Sequence, residues 1–345
     1  MDANHIPEPQ AASKVLKETK NKIRVEFERT PLMQRLKAKF LSSFFLQKVI
    51  WYIVRLVLLL GLAYVILYPF IAKIFGSFMG MDDFVDVTVR LIPKNWTLDT
   101  YIAIIMENNY LQAFLNTAFL SLCCALIQTL ICCVIGYGIA KFRFRGSKLI
   151  MLFVVLTMII PHRTIQLALY QHFRYFDIFG LVSLITGGTL QLTNTDVPLM
   201  LLSLTGLAFK NGLFIFMMRQ FFAGVPDELE ESAYVDGSGV YRTFLQIILP
   251  LSVPMMITIF LLSFSWQWTD NFYTTLFYSG RNAKWLMPNI VSVPPSLVTT
   301  YPGQGLFYSA IHNTCALLIM APLVIIYLFC QRYLIQGIER SGIVG

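Results

Sequence analysis

The sequence alternates between long apolar runs and short polar segments. Six of the runs reach the roughly 20 residues that an α-helix needs to cross a hydrocarbon core of about 30 Å. They cover approximately residues 50–75, 111–140, 149–170, 198–222, 251–276 and 307–329. Prolines are concentrated between residues 288 and 302, which predicts a non-helical loop before the last run. The pattern therefore predicts an all-α membrane protein with six transmembrane helices.

The distribution of lysine and arginine predicts how these helices are oriented. The segment before the first run contains ten of the 27 basic residues, from Lys14 to Lys48. A second basic cluster, residues 141–148, separates the second and third runs. Because basic residues are enriched in cytoplasmic loops, both segments should be cytoplasmic. Six crossings then place both termini, and the polar segment between the fourth and fifth runs, in the cytoplasm.

Composition supports the same class. Hydrophobic residues make up 56% of the 345 positions and charged residues only 13%, which is unusual for a soluble domain. The net charge of +8 comes from basic residues beside the apolar runs, so we expect contact with anionic membrane lipid and not with nucleic acid. The first run is longer than a signal-peptide core, which predicts a retained anchor.

Two regions are predicted. Residues 1–48 form a cytoplasmic basic tail, and residues 49–345 form the transmembrane domain. Within the tail, apolar residues recur at helical spacing: Leu36, Phe40, Leu41, Phe44 and Phe45. This spacing fits an amphipathic helix on the inner leaflet, and it equally fits a cytoplasmic extension of the first span.

The polar segment from Val225 to Pro254 has a definite internal pattern. Pro226 and the four acidic residues that follow it (Asp227, Glu228, Glu230 and Glu231) predict the start of a helix, because the helix dipole favours negative charge there. The run Asp236–Gly239 predicts a break, since glycine adopts the left-handed conformation that ends helices. A second helix is predicted from about Val240 to Pro250.

Seven residues of this segment carry a resemblance to a known family. They are Glu231, Ser232, Ala233, Gly237, Ile247, Leu249 and Pro250. Their identities and spacing resemble the cytoplasmic EAA loop of ABC-importer permeases, with Ser232 replacing the first alanine. The resemblance implies that residues 224–250 form the coupling loop, which docks on an ATP-hydrolysing subunit, and that Glu230 and Asp236 belong to the same surface. The alternative is an ordinary amphipathic loop helix.

Other segments resemble the carbohydrate permeases of the maltose type. They include Phe114–Thr117, Gly136–Gly146, Ile159–Pro161 and Gln331–Gly337, and the resemblance extends over about residues 91–337, with a core at about 110–335. It implies a type I importer permease fold in a bacterial plasma membrane. The implied partners are a second, different permease chain, two ATP-binding cassette subunits and an extracytoplasmic solute-binding protein. ATP and Mg²⁺ would be bound by the ATPase partner, and no cofactor by this chain.

Polar residues inside the apolar runs are candidates for a substrate path. Trp266, Gln267, Asp270 and Asn271 form a polar and aromatic stripe that suits a saccharide, because aromatic faces stack on sugar C–H groups while amides and carboxylates bind hydroxyls. Anchoring of the aromatic side chains at the membrane interface explains the stripe equally well.

Two further path candidates lie in other runs. Asn116 in the second run is a candidate for the path, with a structural role favoured. His162, followed by Arg163, could line the path or form a structural pair near the outer interface.

The sequence predicts no catalytic or metal site. It has no Gly-x4-Gly-Lys-Ser/Thr phosphate loop, so energy for transport must come from another subunit. An importer permease for another class of solute is an alternative, because amino-acid, peptide and ion importers share the EAA loop. An ion-coupled carrier is a further alternative, but it would need carboxylates deep in the spans, where Asp270 is the one candidate. A membrane-embedded enzyme is disfavoured by the lack of a His, Asp or Glu cluster.

Overall fold

The computed structural model describes residues 43–142, 144–279 and 284–342. The predicted tail up to residue 42 lies outside the described residues. The chain divides into two compact units, Met1–Ile71 and Ala72–Gly345. Within the described residues the secondary structure is helical, apart from turns and two isolated β-bridges, Met79 with Trp96 and Phe176 with Leu190.

The first unit contains most of helix α1 (Ser43–Gly76). Its apolar stretch, Gln47–Gly76, is long and hydrophobic enough to span a membrane, which agrees with the first predicted span. The side chains of this stretch are almost all exposed, for example Trp51 and Leu58. Such an apolar surface is stable in lipid, where exposure of leucine and valine carries no hydration cost.

The second unit contains the remaining helices. In chain order they are α2 (Met81–Val85), α3 (Asp99–Glu107), α4 (Tyr110–Lys141), α5 (Ser147–Ile159), α6 (Gln166–Arg174), α7 (Leu181–Thr186), α8 (Val197–Leu204), α9 (Asn211–Ala223), α10 (Glu228–Val235), α11 (Val240–Thr243), α12 (Leu249–Trp268), α13 (Phe272–Phe277), α14 (Pro295–Thr300) and α15 (Gly305–Gly342). Short 3₁₀ turns cover His162–Ile165 and Met287–Ile290.

Helix α4 is the centre of this unit, and it packs against α8, α9 and α12. Its contact face is made of small or short side chains, among them Ala125, Cys132 and Cys133, all of them buried. Gly136 is the tightest point, because a Cβ atom there would lie 2.5 Å from Cβ of Met218 on α9. A glycine at this position allows the two helices to approach closely.

The structure has fewer uninterrupted membrane-length helices than the six that the sequence predicts. Among the described residues, four helices are long and apolar enough to cross a membrane: Gln47–Gly76, Tyr110–Lys141, Val240–Trp268 and Gly305–Ile335. The pair Ser147–Ile159 and His162–Arg174 adds a fifth if it is one span, and it bends by 92° at Pro161. Proline removes a backbone donor and its ring crowds the preceding turn, which explains this break.

The predicted fourth span, residues 198–222, consists of two helices. Helix α8 ends at Leu204 and α9 begins at Asn211, and the intervening turn contains two residues with positive φ, Gly206 and Lys210. Hydropathy does not detect this break, because Leu207, Ala208 and Phe209 inside the turn are themselves apolar.

The predicted end of a helix at Pro250 is wrong. Helix α11, a π-helical segment (Phe244–Ile248) and α12 form one continuous helix from Val240 to Trp268. The π-turn widens the backbone just before Pro250, and Pro250 then occupies the first turn of α12, where its missing N–H group matters least.

In the segment between α1 and α3, two aspartate side chains form hydrogen bonds and an ion pair with residues 94 and 95. Asp83 is buried and accepts hydrogen bonds from the backbone N–H groups of Lys94 and Asn95, each at 3.1 Å. Lys94 also pairs with Asp86 at 2.5 Å. The hydrogen bond from Lys94 holds the pKa of Asp86 well below its usual range, so this carboxylate stays ionised at physiological pH.

Candidate functional site

In the segment that resembles the coupling loop, the first helix ends where the sequence predicts a break, at Asp236–Gly239. Helix α10 ends at Val235, and Gly237 has a φ of +81°. Two hydrogen bonds close the helix end: the N–H of Gly237 donates to the carbonyl of Tyr234 at 3.0 Å, and that of Ser238 donates to the carbonyl of Ala233 at 2.9 Å. This is a Schellman motif, which requires a left-handed residue at the position of Gly237.

Helix α10 has one buried side and one exposed side. Ala233 and Glu230 are buried, whereas Glu231, Ser232 and Asp236 are exposed. The hydroxyl of Ser232 donates to the backbone carbonyl of Glu228 at 2.7 Å, so it is satisfied within the helix. The exposed side therefore offers a short acidic surface to a partner.

The remaining residues of the motif lie at the start of the long helix that follows. Ile247 and Pro250 are exposed, and Leu249 is partly buried against the core formed by α4, α9 and α12. The exposed acidic helix and the membrane-length helix are thus joined through the turn at residues 236–239. A force applied to α10 would act directly on Val240–Trp268.

Lys141, the last residue of α4, holds the start of this loop. Its ammonium donates to the backbone carbonyl of Val225 at 2.6 Å and to the carboxylate of Asp227 at 2.5 Å. The Lys141 side chain is only 6% exposed. The sequence pattern identified Lys141 solely as part of the basic turn; its long-range contact with residues 225–227 has no local sequence signal.

A cavity of about 570 Å³ lies at the two helix breaks. Residues 157–163 line one side, residues 206–210, 212 and 213 line the other, and Phe272 at the start of α13 also contributes. His162, predicted as a path residue, lines this cavity, and its ring contacts that of Phe209 at a centroid distance of 4.7 Å. The breaks thus expose backbone and polar side chains to a shared space, as breaks in transporter helices commonly do.

Three of the predicted path residues lie around a smaller pocket. Trp266, Gln267 and Asp270 line it together with Gln128, Phe209, Ser263 and Tyr273. The side-chain nitrogen of Gln267 is buried and has no hydrogen-bond partner among the described residues. The Asp270 carboxylate accepts a hydrogen bond from the N–H of Thr274 at 3.0 Å. Asn271 is exposed and precedes α13.

Asn116 lies elsewhere. Its side-chain amide donates to the backbone carbonyl of Trp285 at 2.9 Å, and the neighbouring Thr117 hydroxyl accepts from the N–H of Met287 at 2.8 Å. Asn116 lines neither pocket. These bonds attach the segment before α14 to α4, which agrees with the structural role that the sequence favoured.

Sequence reasoning missed several residues of this region. Phe209 lines both pockets, and the ammonium of Lys210 lies 4.8 Å from the Phe209 ring and 4.9 Å from the Trp266 ring. Gln128 accepts a hydrogen bond from the Ser263 hydroxyl at 2.7 Å and donates one to Ser203 at 3.2 Å. The detectable signal was Lys210 itself, a basic residue near the middle of the predicted fourth span.

Within the described residues, no group of His, Cys, Asp or Glu has the arrangement of a metal site. Fold and site together define a multi-pass helical membrane protein with a cavity at two helix breaks and an exposed acidic loop helix. This is the architecture of a transport-system permease.

The chain belongs to the family described as "binding-protein-dependent transport system inner membrane component", whose model matches residues 133–340. It is accordingly a multi-pass protein of the bacterial plasma membrane and a permease of an ABC transport system, not an enzyme. Membership in this family implies a binding protein and an ATPase as partners.

Individual relatives are similar over most of their length. The arabinooligosaccharides transport system permease protein AraQ of Halalkalibacterium halodurans is 27% identical over 287 residues, which cover 82% of this chain and 93% of the relative. The inner membrane ABC transporter permease protein YcjP of Escherichia coli is 23% identical, covering 81% and 91% respectively. A chain of a bacterial ABC transporter that imports the acidic polysaccharide alginate matches in structure with a TM-score of 0.61 at 19% identity, covering 83% of this chain and 97% of that chain.

Proposed function

We propose that this chain is a transmembrane subunit of an ATP-driven importer and forms half of the path for a sugar or oligosaccharide. The observation that carries the proposal is helix α10: its acidic residues are exposed, it ends at the left-handed Gly237, and Lys141 ties its start to α4. A helix presented in this way transmits movement of a docked subunit to the membrane helices.

The subunit arrangement follows from the same reasoning. Six crossings with both termini in the cytoplasm would put α10 on the inner face. Two ATP-binding cassette subunits would bind and hydrolyse ATP with Mg²⁺, and one of them would receive α10. A second permease chain of different sequence would supply the other half of the path, and an extracytoplasmic binding protein would deliver the substrate.

The coupling surface would consist of Glu230, Glu231, Ser232, Ala233, Asp236, Gly237, Ile247, Leu249 and Pro250. Glu231 and Ser232 would meet the ATPase subunit directly, because both are exposed. Ala233 and Glu230 are buried, so their part is to fix the position of α10 on the core. The proposed domain boundaries are those expected from the sequence, a tail at residues 1–48 and a permease domain at residues 49–345.

The substrate class is proposed from the two pockets and from the relatives. AraQ is named for arabinooligosaccharides, and the structural neighbour belongs to an alginate importer. In this chain His162 lines the larger pocket, and Trp266, Gln267 and Asp270 line the smaller one. Phe209 belongs to the lining of both, and Asn271 follows Asp270 in the sequence. Aromatic faces with a few polar groups are the usual surroundings of bound saccharides.

The test is transport by the complete importer in lipid vesicles. The binding protein and the sugars are added on the side of the membrane that corresponds to the cell exterior. The probe is a mixture of oligosaccharides from partial hydrolysis of starch, arabinan, pectin and alginate. Members of the mixture should accumulate only with ATP, and Glu231→Lys or Gly237→Pro should abolish accumulation while the complex still inserts into the membrane. Asp82→Lys, the same change of charge on an exposed residue of α2, should transport normally.

Two results would contradict the proposal. Accumulation without ATP and without a hydrolysing subunit would favour an ion-coupled carrier. Normal transport by both coupling-loop variants would show that α10 is not the contact through which ATP hydrolysis acts.

A further inference from the structure

The larger cavity carries positive charge without a matching negative charge. Arg163 and Lys210 line it, together with His162, and its lining, all within the described part of the chain, contains no aspartate or glutamate. Neither Arg163 nor Lys210 belongs to any of the ion pairs found among the described residues. Both cations therefore line the cavity without a counter-ion among the residues that the structure describes.

One of these cations belongs to a residue with an uncommon backbone conformation. Lys210 has a φ of +68°, a left-handed conformation that is uncommon for a residue with a side chain. The conformation occurs at the break between α8 and α9, next to the buried Asn211. Outliers of this kind are enriched at ligand sites, where the surrounding structure holds them.

Two aromatic rings lie close to the ammonium of Lys210. It lies within 5 Å of two ring centroids, at 4.8 Å from Phe209 and 4.9 Å from Trp266. The rings partly compensate its charge through cation–π attraction, but they cannot accept its hydrogen bonds. The nearby carboxylate of Asp270 is bonded to Thr274 and lines the smaller pocket instead.

We propose that this cavity binds the carboxylate group of an acidic oligosaccharide, with Lys210 and Arg163 as the residues that select for negative charge. The inference rests on the proposed function and narrows its substrate class to saccharides that contain uronic acid. A carboxylate supplies the missing counter-charge and hydrogen-bond acceptors in a site where unpaired cations are costly. Phe209 and Phe272, which line the same cavity, supply the apolar faces on which the sugar ring stacks.

The experiment uses the complete importer in vesicles and the mixed hydrolysate described above, with mass spectrometry of the accumulated sugars. Uronate-containing products should accumulate about tenfold over neutral products of equal length. Lys210→Gln should reduce uronate accumulation about tenfold with unchanged complex assembly and ATPase activity without substrate. Arg90→Gln, which removes a charge from an exposed residue outside the cavity, should leave the ratio unaltered.

The outcomes separate this inference from the proposed function. ATP-dependent accumulation of neutral products alone would overturn the inference and leave the proposed function standing. An unchanged ratio of uronate to neutral products in Lys210→Gln would also overturn it. If assembly is weakened as well, an acidic residue of the partner permease is the counter-ion. If no saccharide accumulates, both the proposed function and the inference are rejected.

Discussion

The ammonium of Lys141 lies 2.5 Å from the carboxylate of Asp227, joining the last residue of α4 to the residue that precedes α10. The same ammonium donates to the carbonyl of Val225. Because α4 is the central helix of the packed unit, this contact connects the acidic loop helix to the core by a second route, independent of the covalent turn at residues 236–239.

The two partners of this contact should contribute unequally. Lys141→Met leaves the buried Val225 with an unsatisfied carbonyl, which costs about 1–3 kcal/mol. The Asp227 side chain is 68% exposed, so water and salt screen the pair and Asp227→Asn should cost less than about 1 kcal/mol. Amide hydrogen exchange of α10 in the assembled importer measures both. Equal loss of protection in the two variants would show that the ion pair, and not the carbonyl contact, holds the loop.

A second prediction concerns the break after α10. Gly237→Ala places a side chain in a left-handed conformation and should destabilise the helix end by about 1–2 kcal/mol. Gly239→Ala is the matched control, because Gly239 has a φ of −79° and equally open surroundings. Hydrogen exchange of residues 228–238, with transport rates measured in parallel, should show a defect in Gly237→Ala alone. A defect of the same size at Gly239 would mean that flexibility, and not the left-handed turn, is required.

The close approach of α4 and α9 gives a third prediction. Gly136→Ala would force the two helices apart, since the new Cβ would lie 2.5 Å from Cβ of Met218 and 3.0 Å from the backbone nitrogen of Arg219. Overpacking of this kind costs about 1–3 kcal/mol. Gly138→Ala, two residues along the same helix and with open space at its Cβ, should be tolerated. The midpoint of thermal unfolding of the purified complex should fall for Gly136→Ala; an unchanged midpoint would refute the predicted clash.

A fourth prediction separates two neighbouring tryptophans on α12. The indole N–H of Trp268 donates to the carbonyl of Ile319 on α15 at 3.0 Å, and Trp268 is 1% exposed. Trp268→Phe removes this bond, at a cost of about 0.5–1.5 kcal/mol. Trp266→Phe should not affect stability, because Trp266 is 45% exposed. Both variants can be compared by thermal unfolding in detergent, where an equal change would disprove the role of the hydrogen bond.

The sequence identified well those features that depend on local chemistry. Apolar length identified the membrane helices around α1, α4, α12 and α15, because exclusion of charge over 20 residues is a direct consequence of the hydrocarbon environment. Glycine chemistry located the break at Gly237, since a left-handed turn depends on the one residue that occupies it. The motif spacing around Glu231 indicated the family to which the chain belongs.

Features that depend on contacts distant in sequence were missed. Pro250 was expected to end a helix, yet the π-segment before it lets the helix continue. The break at residues 205–210 was invisible in a run of apolar side chains, and with it the position of Lys210. Lys141 appeared only as a basic residue of a turn, although it bonds to Val225 and Asp227 more than 80 residues away.

The sequence by itself determined that this protein lies in a membrane as a bundle of helices and carries a polar loop helix of the importer type. The length of an apolar run, the distribution of charge and the positions of glycine are local properties of the chain, so the sequence alone is enough to predict their structural consequences. Only the tertiary structure decided that two helix breaks meet around one cavity with Arg163 and Lys210 on its wall. Which side chains face a common space depends on how separate helices pack, and local sequence does not specify that packing.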